Sequence, residues 1–219
     1  MVQKGRCTAP GTGWSVDAST PSVITGPTFN KDPASYKAGD VIAATFTTSE
    51  NLDAPAPAMQ LNVLPPVSMP CTANGGNSYT CTLPAALTGT ETPQGQTEVS
   101  IRLADPAGNT ASYAPRVALD FSKPLLLSST PSQTTFKTGD TVFYTLNVSE
   151  PLSGTPGRPV LHVFADGVEQ AGFFGAPIAE TDTSFTYSRS VAWMVPQTYT
   201  VTVDLADVAG NAQSGVPAA

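Results

Sequence analysis

Charged residues are scarce in this chain, because they make up only 12% of its 219 residues, about half of the usual share. The ten Lys and Arg residues are scattered, and the net charge is −7. No basic cluster could neutralise a run of phosphates, so we expect no nucleic acid partner. The same acidity argues against docking on an anionic membrane surface. No apolar run approaches the roughly 18 residues of a spanning helix, so we expect no membrane insertion of this segment.

The chain also lacks the sequence motifs of common enzymes, since it contains no GxGxxG, P-loop, HExxH or CxxC. Its single histidine, His162, lies in the apparent strand VLHVF, where a lone histidine is usually structural. A Ser-His-Asp triad needs all three side chains in one pocket, and nothing in the sequence indicates such convergence. Paired carboxylates could serve a glycosidase, but that chemistry needs a deep cleft. We therefore predict that the chain is not an enzyme.

Long helices are disfavoured by the 21 Pro and 18 Gly residues, because each Pro removes a backbone donor and clashes with the preceding turn. Apolar residues nevertheless make up 40% of the chain, which is enough for a packed core. Short strands joined by many turns fit this composition, so we predict an all-β fold.

Cysteine is rare as well, with three residues in the chain. Cys71 and Cys81 flank a Gly-Gly turn between two short segments, and we predict a disulfide between them, which would imply an oxidising compartment. The alternative is two buried free thiols. A zinc site would need more Cys or His residues at ligand spacing. Cys7 is left over, and an odd cysteine often indicates a partner outside the segment.

An internal repeat organises the chain. Residues 36–52 read YKAGDVIAATFTTSENL, and residues 136–152 read FKTGDTVFYTLNVSEPL. Further on, VSIRLADPAGNTAS at 99–112 matches VTVDLADVAGNAQS at 201–214. A period near 100 residues is the size of one β-sandwich domain. Apolar side chains alternate within these segments, and Asp166-Gly167 between two apolar runs predicts a hairpin with a type I′ turn.

The paired runs YKAGD…TSEN and FKTGD…VSEP, together with the closing LAD-x-AGN, resemble bacterial immunoglobulin-like (Ig-like) repeats. Such repeats occur in long surface adhesins, biofilm proteins and multidomain secreted proteins. The resemblance implies an all-β chain of two tandem Ig-like β-sandwiches on a bacterial cell surface, with flanking domains of a parent protein. We expect domain 1 over residues 17–119 and domain 2 over 120–219, with residues 1–16 as a remnant of a preceding domain.

The topology of such a sandwich predicts two acidic clusters, because the loops concerned lie at the end where the chain enters each domain. The predicted sets are Asp17, Glu50 and Asp105 in domain 1, and Asp120, Glu150 and Asp207 at the linker and in domain 2. Carboxylates brought together repel unless a cation or hydrogen bonds offset them. Ca²⁺ takes oxygen ligands of this kind, and the resemblance implies Ca²⁺ at the interdomain linker.

The acids also have a purely structural interpretation. Asp105 and Asp207 would cap their turns, with Gly108 and Gly210 supplying a positive φ. Glu50 and Glu150 would be solvated strand ends.

The sequence favours a non-catalytic extracellular spacer or adhesion segment whose partner is an unidentified surface protein or glycan. The alternative is an accessory or carbohydrate-binding module of a secreted hydrolase, for which Trp14, Trp193, Phe173 and Phe174 are the candidate sugar-stacking aromatics. A phage or virion decoration domain would share the fold and is a third possibility.

Overall fold

In a computed structural model the chain divides into two compact units, which we call unit 1 (Met1–Phe121) and unit 2 (Ser122–Ala219). The structure describes residues 6–9, 12–52, 57–154, 157–192 and 197–218, with side chains from residue 16 onward. In this part of the chain every regular element is a strand, which confirms the all-β prediction. No helix in it is long and apolar enough to cross a membrane.

Unit 1 consists of a short hairpin and two larger sheets. The hairpin pairs β1 with β2, one sheet has the order β3-β5-β9-β8, and the other has the order β4-β12-β10-β6-β7 with β11 also paired to β10. The strands are β1 (Arg6–Ala9), β2 (Thr12–Ser15), β3 (Val23–Phe29), β4 (Ser35–Tyr36), β5 (Ala43–Thr48), β6 (Ala58–Leu61), β7 (Val67–Met69), β8 (Cys71–Gly75), β9 (Ser78–Thr82), β10 (Gly95–Ala104), β11 (Thr110–Tyr113) and β12 (Arg116–Leu119).

The core of unit 1 lies between its two larger sheets. Successive side chains of a strand point to opposite faces, so alternate apolar residues meet on one side. Phe46 on β5 is buried against side chains of the facing sheet such as Leu61 on β6 and Ile101 on β10. The strand β10 shows the pattern most clearly, since Val99, Ile101 and Leu103 are buried while the residues between them are not.

Unit 2 has two four-stranded sheets, with the orders β13-β14-β18-β17 and β16-β15-β19-β20. Its core again draws on both sheets, with Leu146 on β14 and Phe185 on β18 packed in one cluster with Val203 and Leu205 on β19. The strands are β13 (Leu126–Pro131), β14 (Thr141–Val148), β15 (Val160–Ala165), β16 (Val168–Glu169), β17 (Ala179–Glu180), β18 (Ser184–Ser190), β19 (Tyr199–Ala206) and β20 (Ala212–Ala218).

The two hairpins expected from turn residues are present. In unit 2, Asp166 (φ 48) and Gly167 (φ 84) connect β15 to β16, and positive φ at both central residues is what a type I′ turn requires. In unit 1, β8 and β9 pair so that Cys71 lies directly opposite Cys81. Their Cα atoms are 3.9 Å apart and the disulfide is formed, which confirms the predicted bridge.

The disulfide predicts a specific loss of stability in unit 1. In a Cys7→Ser background, which removes the third thiol, replacing Cys71 and Cys81 by Ser should lower the free energy of unfolding of unit 1 by about 2–3 kcal/mol, because the short loop is no longer closed in the unfolded chain. Denaturant unfolding followed by amide hydrogen exchange measures this. Unit 2 is the internal control, and a loss shared equally by both units would contradict the prediction.

Candidate functional site

The closing turn of each unit is held by one buried aspartate. Asp207 accepts the backbone N–H groups of Gly210 and Asn211 on Oδ1, at 2.7 and 2.9 Å, and the Asn211 side-chain amide on Oδ2 at 2.8 Å. Asp105 accepts the backbone N–H and the side-chain amide of Asn109 at 2.8 and 2.7 Å. Both aspartates are 1% exposed, so the bonds satisfy carboxylates that have little access to water.

Glycine is needed next to these aspartates. Gly108 and Gly210 have φ values of 89° and 92°, in the region that residues with a Cβ rarely adopt. The expected capping of both turns by Asp105 and Asp207 is therefore confirmed, and it accounts for the repeated sequence Asp-x-Ala-Gly-Asn.

A second repeated turn precedes β5 in unit 1 and β14 in unit 2. The Lys37 N–H donates to the Asp40 carboxylate at 2.8 Å, and the Lys137 N–H donates to Asp140 at 2.9 Å. The Lys31 ammonium also donates to Asp40. Burial alone would raise the pKa of Asp40, but the bonds from Lys31 and Lys37 lower it below its ordinary value. These aspartates hold the turn in both units.

The repeated serines join the end of one strand to the start of another. In unit 1 the Ser49 hydroxyl accepts the Ser22 N–H at 3.0 Å, and in unit 2 the Ser149 hydroxyl accepts the Leu125 N–H at 2.9 Å. Each of these repeated serines thus bonds to a backbone group of its own unit.

One acidic cluster lies entirely within unit 1. Carboxylate oxygens of Asp17, Glu50 and Asp105 all lie within 4.8 Å of one another. Among the described residues of unit 1 the ion pair is Lys31 with Asp40, which leaves this cluster without a pairing Lys or Arg. The sequence placed these three acids together, and the structure does the same.

The acids of this cluster differ in their proton affinity. Partial burial, and then the charges of Asp17 and Asp105, raise the pKa of Glu50 above its ordinary value. The amide of Asn109 and the neighbouring backbone N–H groups lower the pKa of Asp105. The charged form is therefore disfavoured at Glu50 and favoured at Asp105.

In unit 2, carboxylate oxygens of Glu150 and Asp207 lie within 4.8 Å of each other. Asp120 falls at the end of unit 1, where its N–H donates to the Tyr36 carbonyl at 2.9 Å. The prediction that Asp120 joins Glu150 and Asp207 in one cation site stays a prediction.

The single histidine is a half-buried partner of two acids. His162 Nδ1 lies 2.7 Å from Glu169 Oε1, and its Nε2 lies 3.4 Å from Asp204 Oδ2. These bonds, with Glu169 contributing most, raise the pKa of His162. The arrangement places the imidazole between strands as a surface ion pair rather than beside a hydroxyl nucleophile.

The candidate sugar-stacking aromatics do not form a flat surface. Phe173 and Phe174 contact each other edge to face with ring centroids 5.1 Å apart. The Arg189 guanidinium lies 4.4 Å from the Phe173 centroid, and Phe174 stacks on Tyr144 at 5.8 Å. Tyr144 and Arg189 thus each lie against one face of a ring, and both phenylalanines remain half-buried. Trp193 and the side chain of Trp14 lie outside the described part of the chain.

A cavity of about 700 Å³ opens beside these rings in unit 2. We call it the unit 2 groove and define it by Phe136, Val142, Arg189, Val191 and Tyr199, which all line it. Sequence reasoning missed it. The signal that could have found it is an arginine on β18 opposite Val142, at a position where an inward-facing apolar residue is expected.

Comparisons with known proteins identify the fold. No family model and no curated protein matches the chain. Among solved structures, a three-Ig fragment of titin (domains I67–I69, an E-to-A variant) is 13% identical with a TM-score of 0.51, and the match covers 90% of this chain and 64% of the fragment. This chain therefore spans less than two thirds of the titin fragment. The likeness shows the fold, and with the two sheets of each unit it defines two tandem Ig-like β-sandwiches, as predicted.

Two other solved structures match the chain with lower TM-scores. The Ig1-2 module of the Drosophila receptor tyrosine phosphatase DLAR is 11% identical (TM-score 0.34), with 91% of this chain and 98% of that module covered. The adhesin InvE of Yersinia pseudotuberculosis is 13% identical (TM-score 0.31), with 90% of this chain and 58% of that chain covered.

The closing turn of unit 2 gives a mutational prediction. Asp207→Ala should lower the free energy of unfolding of unit 2 by roughly 2–4 kcal/mol, because the buried backbone and side-chain N–H groups of Asn211 lose the carboxylate that accepts them and the Gly210 N–H loses the shorter of its two bonds. Asp182→Ala, at an exposed position of the same unit, should change it by less than about 0.5 kcal/mol. Urea unfolding of both variants in chelator is the measurement, and equal effects would show that the turn bonds are unimportant.

Proposed function

We propose that this chain is a non-catalytic spacer or adhesion segment of an extracellular bacterial surface protein. The observation that carries the proposal is which side chains recur between the units. Asp40, Ser49 and Asp105 and their counterparts in unit 2 each bond to the framework of their own unit. What is repeated is therefore a stable module, as expected of a chain whose role is to extend or to present other domains.

The disulfide supports the extracellular part of the proposal. The Cys71–Cys81 disulfide links β8, an edge strand of one sheet in unit 1, to its neighbour β9. Such bonds form and persist in oxidising compartments and are rare in the cytosol. The low content of charged residues and the many short, tightly turned strands also suit a segment that must resist proteases.

A glycan array separates this function from a carbohydrate-binding module. The spacer predicts no saturable binding to any glycan by the full chain at micromolar concentration, because Phe173 and Phe174 meet edge to face and do not form a flat stacking surface, and Arg189 and Tyr144 each lie against one of these rings. Saturable binding to one class of glycan, abolished by Phe173→Ala but not by Phe143→Ala at an exposed position on β14, would contradict the spacer and support the accessory module.

We further propose that the acidic cluster of unit 1 binds Ca²⁺. Ca²⁺–oxygen bonds are about 2.3–2.6 Å, so two oxygens on opposite sides of one ion are at most about 5 Å apart. The oxygens of Asp17, Glu50 and Asp105 all fall within 4.8 Å and satisfy that limit. Each oxygen of Asp105 that accepts an N–H still has a second lone pair. Water and backbone carbonyls would complete the six to eight ligands.

The repeat extends this proposal to the linker. VDASTP at 16–21 is in register with LDFSKP at 119–124, so Asp120 is the sequence counterpart of Asp17. With Glu150 and Asp207 as the counterparts of Glu50 and Asp105, a second Ca²⁺ would be held by the second set and would limit bending at the linker.

Calcium should stabilise unit 1 through Glu50. At a free Ca²⁺ concentration one hundred times Kd, binding increases the free energy of unfolding of unit 1 by about 2.7 kcal/mol. This increase raises the melting temperature by roughly 10 °C. Glu50→Gln should abolish this rise. Calorimetry in chelator and in millimolar Ca²⁺ measures it, with Glu98→Gln as the matched control that keeps the response.

The same variant tests the electrostatics without metal. Because its folded-state pKa is raised, Glu50 favours folding fully below its ordinary pKa, and that contribution is lost as pH rises through the raised value. In chelator at neutral pH, Glu50→Gln should thus be at least as stable as the parent. The proposed site would be contradicted if Ca²⁺ did not change the melting temperature of the parent protein. It would also be contradicted if Ca²⁺ still raised the melting temperature of the Glu50→Gln variant.

A further inference from the structure

Two polar side chains face each other on the outer surface of one sheet of unit 2. Val160 lies opposite Asp204, and His162 lies opposite Thr202, so His162 on β15 and Asp204 on β19 are diagonal neighbours on the face that points away from the core. His162 Nε2 lies 3.4 Å from Asp204 Oδ2, and the two side chains are 31% and 37% exposed. An ion from solution can therefore reach both atoms.

Unit 1 has the same ladder with other side chains at these two places. Arg102 stands where unit 2 has Asp204, because VSIRLAD matches VTVDLAD. Gln60 stands where unit 2 has His162, because each lies opposite the second residue of that motif. The sandwich therefore does not need this pair for its stability, in contrast to the aspartates that are repeated in both units.

Glu169 determines which nitrogen of His162 carries the proton. His162 Nδ1 lies 2.7 Å from Glu169 Oε1, across the hairpin of β15 and β16. A carboxylate only accepts hydrogen bonds, so the imidazole donates from Nδ1. In the neutral imidazole the lone pair is then on Nε2, which is the atom that faces Asp204.

A β-bulge orients Asp204 in the same way. The register of β19 with β20 shifts between Val203 and Leu205, so two residues of β20 lie opposite the single Asp204. One of them, Gly215, donates its N–H to Asp204 Oδ1 at 2.7 Å. The bond leaves Oδ2 directed at His162. The corresponding ladder of unit 1, between β10 and β11, has no shift, and bulges commonly redirect a side chain at a functional place.

The distance between the two facing acceptors fits a metal ion better than a proton. A proton shared by an imidazole and a carboxylate brings the nitrogen and oxygen to about 2.7–2.9 Å, which is shorter than the 3.4 Å between His162 and Asp204. Two tetrahedral ligands of Zn²⁺, with bonds of about 2.0–2.2 Å to nitrogen and oxygen, lie about 3.4 Å apart. Glu169 then has the place of the carboxylate that typically orients a metal-bound histidine.

One chain supplies only part of such a site. A structural Zn²⁺ site has four protein ligands, and in the described part of the chain the groups of three or more acids, cysteines or histidines that could share an ion do not include His162. The four strands of this sheet contain no Lys or Arg, but they contain Glu169 and Asp204. Two such faces repel each other unless a cation lies between them.

We propose that His162 and Asp204 form half of a Zn²⁺ site, which the same two side chains of a second copy of this chain complete. Two imidazole nitrogens and two carboxylate oxygens then surround the ion. Val160, which is 56% exposed and lies opposite Asp204 on the same face, gives an apolar contact beside it. The nitrogen ligands distinguish this site from the acidic cluster of unit 1, whose oxygens suit Ca²⁺. The inference adds zinc-dependent self-association to the spacer role and does not depend on that role.

Sedimentation velocity and isothermal titration of the full chain test the proposal, in the Cys7→Ser background so that no free thiol binds the metal. The chain should be a monomer in chelator and a dimer in micromolar Zn²⁺, with one ion for every two chains, and chelator should reverse the change. Ca²⁺ at the same concentration should give no dimer, because it binds imidazole poorly.

Variants assign the ligands. His162→Gln, which introduces the residue that unit 1 has at this place, and Asp204→Asn, whose amide oxygen can still accept the Gly215 N–H, should both stay monomeric in Zn²⁺. Asp182→Asn, at an exposed position of the same unit, is the control and should dimerise like the parent. A parent that stays monomeric, a dimer that persists in chelator or in His162→Gln, an equal response to Ca²⁺, or one Zn²⁺ per chain without association overturns the proposal.

Glu169 is a positioning residue in this site, because it contacts His162 and not the ion. Glu169→Gln should weaken the Zn²⁺-dependent dimer by roughly tenfold, as is typical when the outer partner of a metal-bound histidine is changed. The apparent Kd for Zn²⁺ from the same titration measures this effect. A loss of affinity no larger than that of Asp182→Asn would overturn the role assigned to Glu169.

Discussion

Each unit depends on burying one face of two sheets against each other. In unit 1, Phe46 and Ile101 meet from opposite sheets, and in unit 2 Leu146 and Val203 do the same. Because strand side chains alternate, this single constraint fixes which residues of each strand face inward. Each unit therefore has its own core. The loops and sandwich ends outside that core can differ in sequence between the two units.

The differences between the units are therefore as informative as the repeat. The framework bonds of Asp105 and Asp207 are alike to within a few tenths of an ångström, whereas only unit 1 has the disulfide hairpin and only unit 2 replaces the buried Leu83 by Arg189 in the described part of the chain. The two units therefore share the turns that hold their backbone, and they differ at the disulfide hairpin of unit 1 and at the end of unit 2 that Arg189 lines.

Sequence patterns within one short segment predicted much of this structure. Features that depend on residues far apart in the chain were not predicted. The Asp166-Gly167 turn, the Cys71–Cys81 bridge and the capping by Asp105 could be predicted because each rests on residues close together in the chain. The groove could not, because it is lined by residues of five strands and of the loops between them, and residues 83 and 189 lie in segments with no sequence echo. Phe173 and Phe174 were candidates for a sugar surface, but composition cannot show that the two rings meet edge to face and that Tyr144 and Arg189 lie against them.

The central claim is that the chain holds two separate cores, and local amide exchange tests it most directly. Leu146→Ala removes a side chain that is fully buried in the core of unit 2 and should cost that unit about 2–5 kcal/mol. Exchange protection should then fall in β14, β18 and β19, while the protection of β5, β9 and β10 in unit 1 stays the same. An equal loss of protection in both units would mean one merged core and would contradict the account.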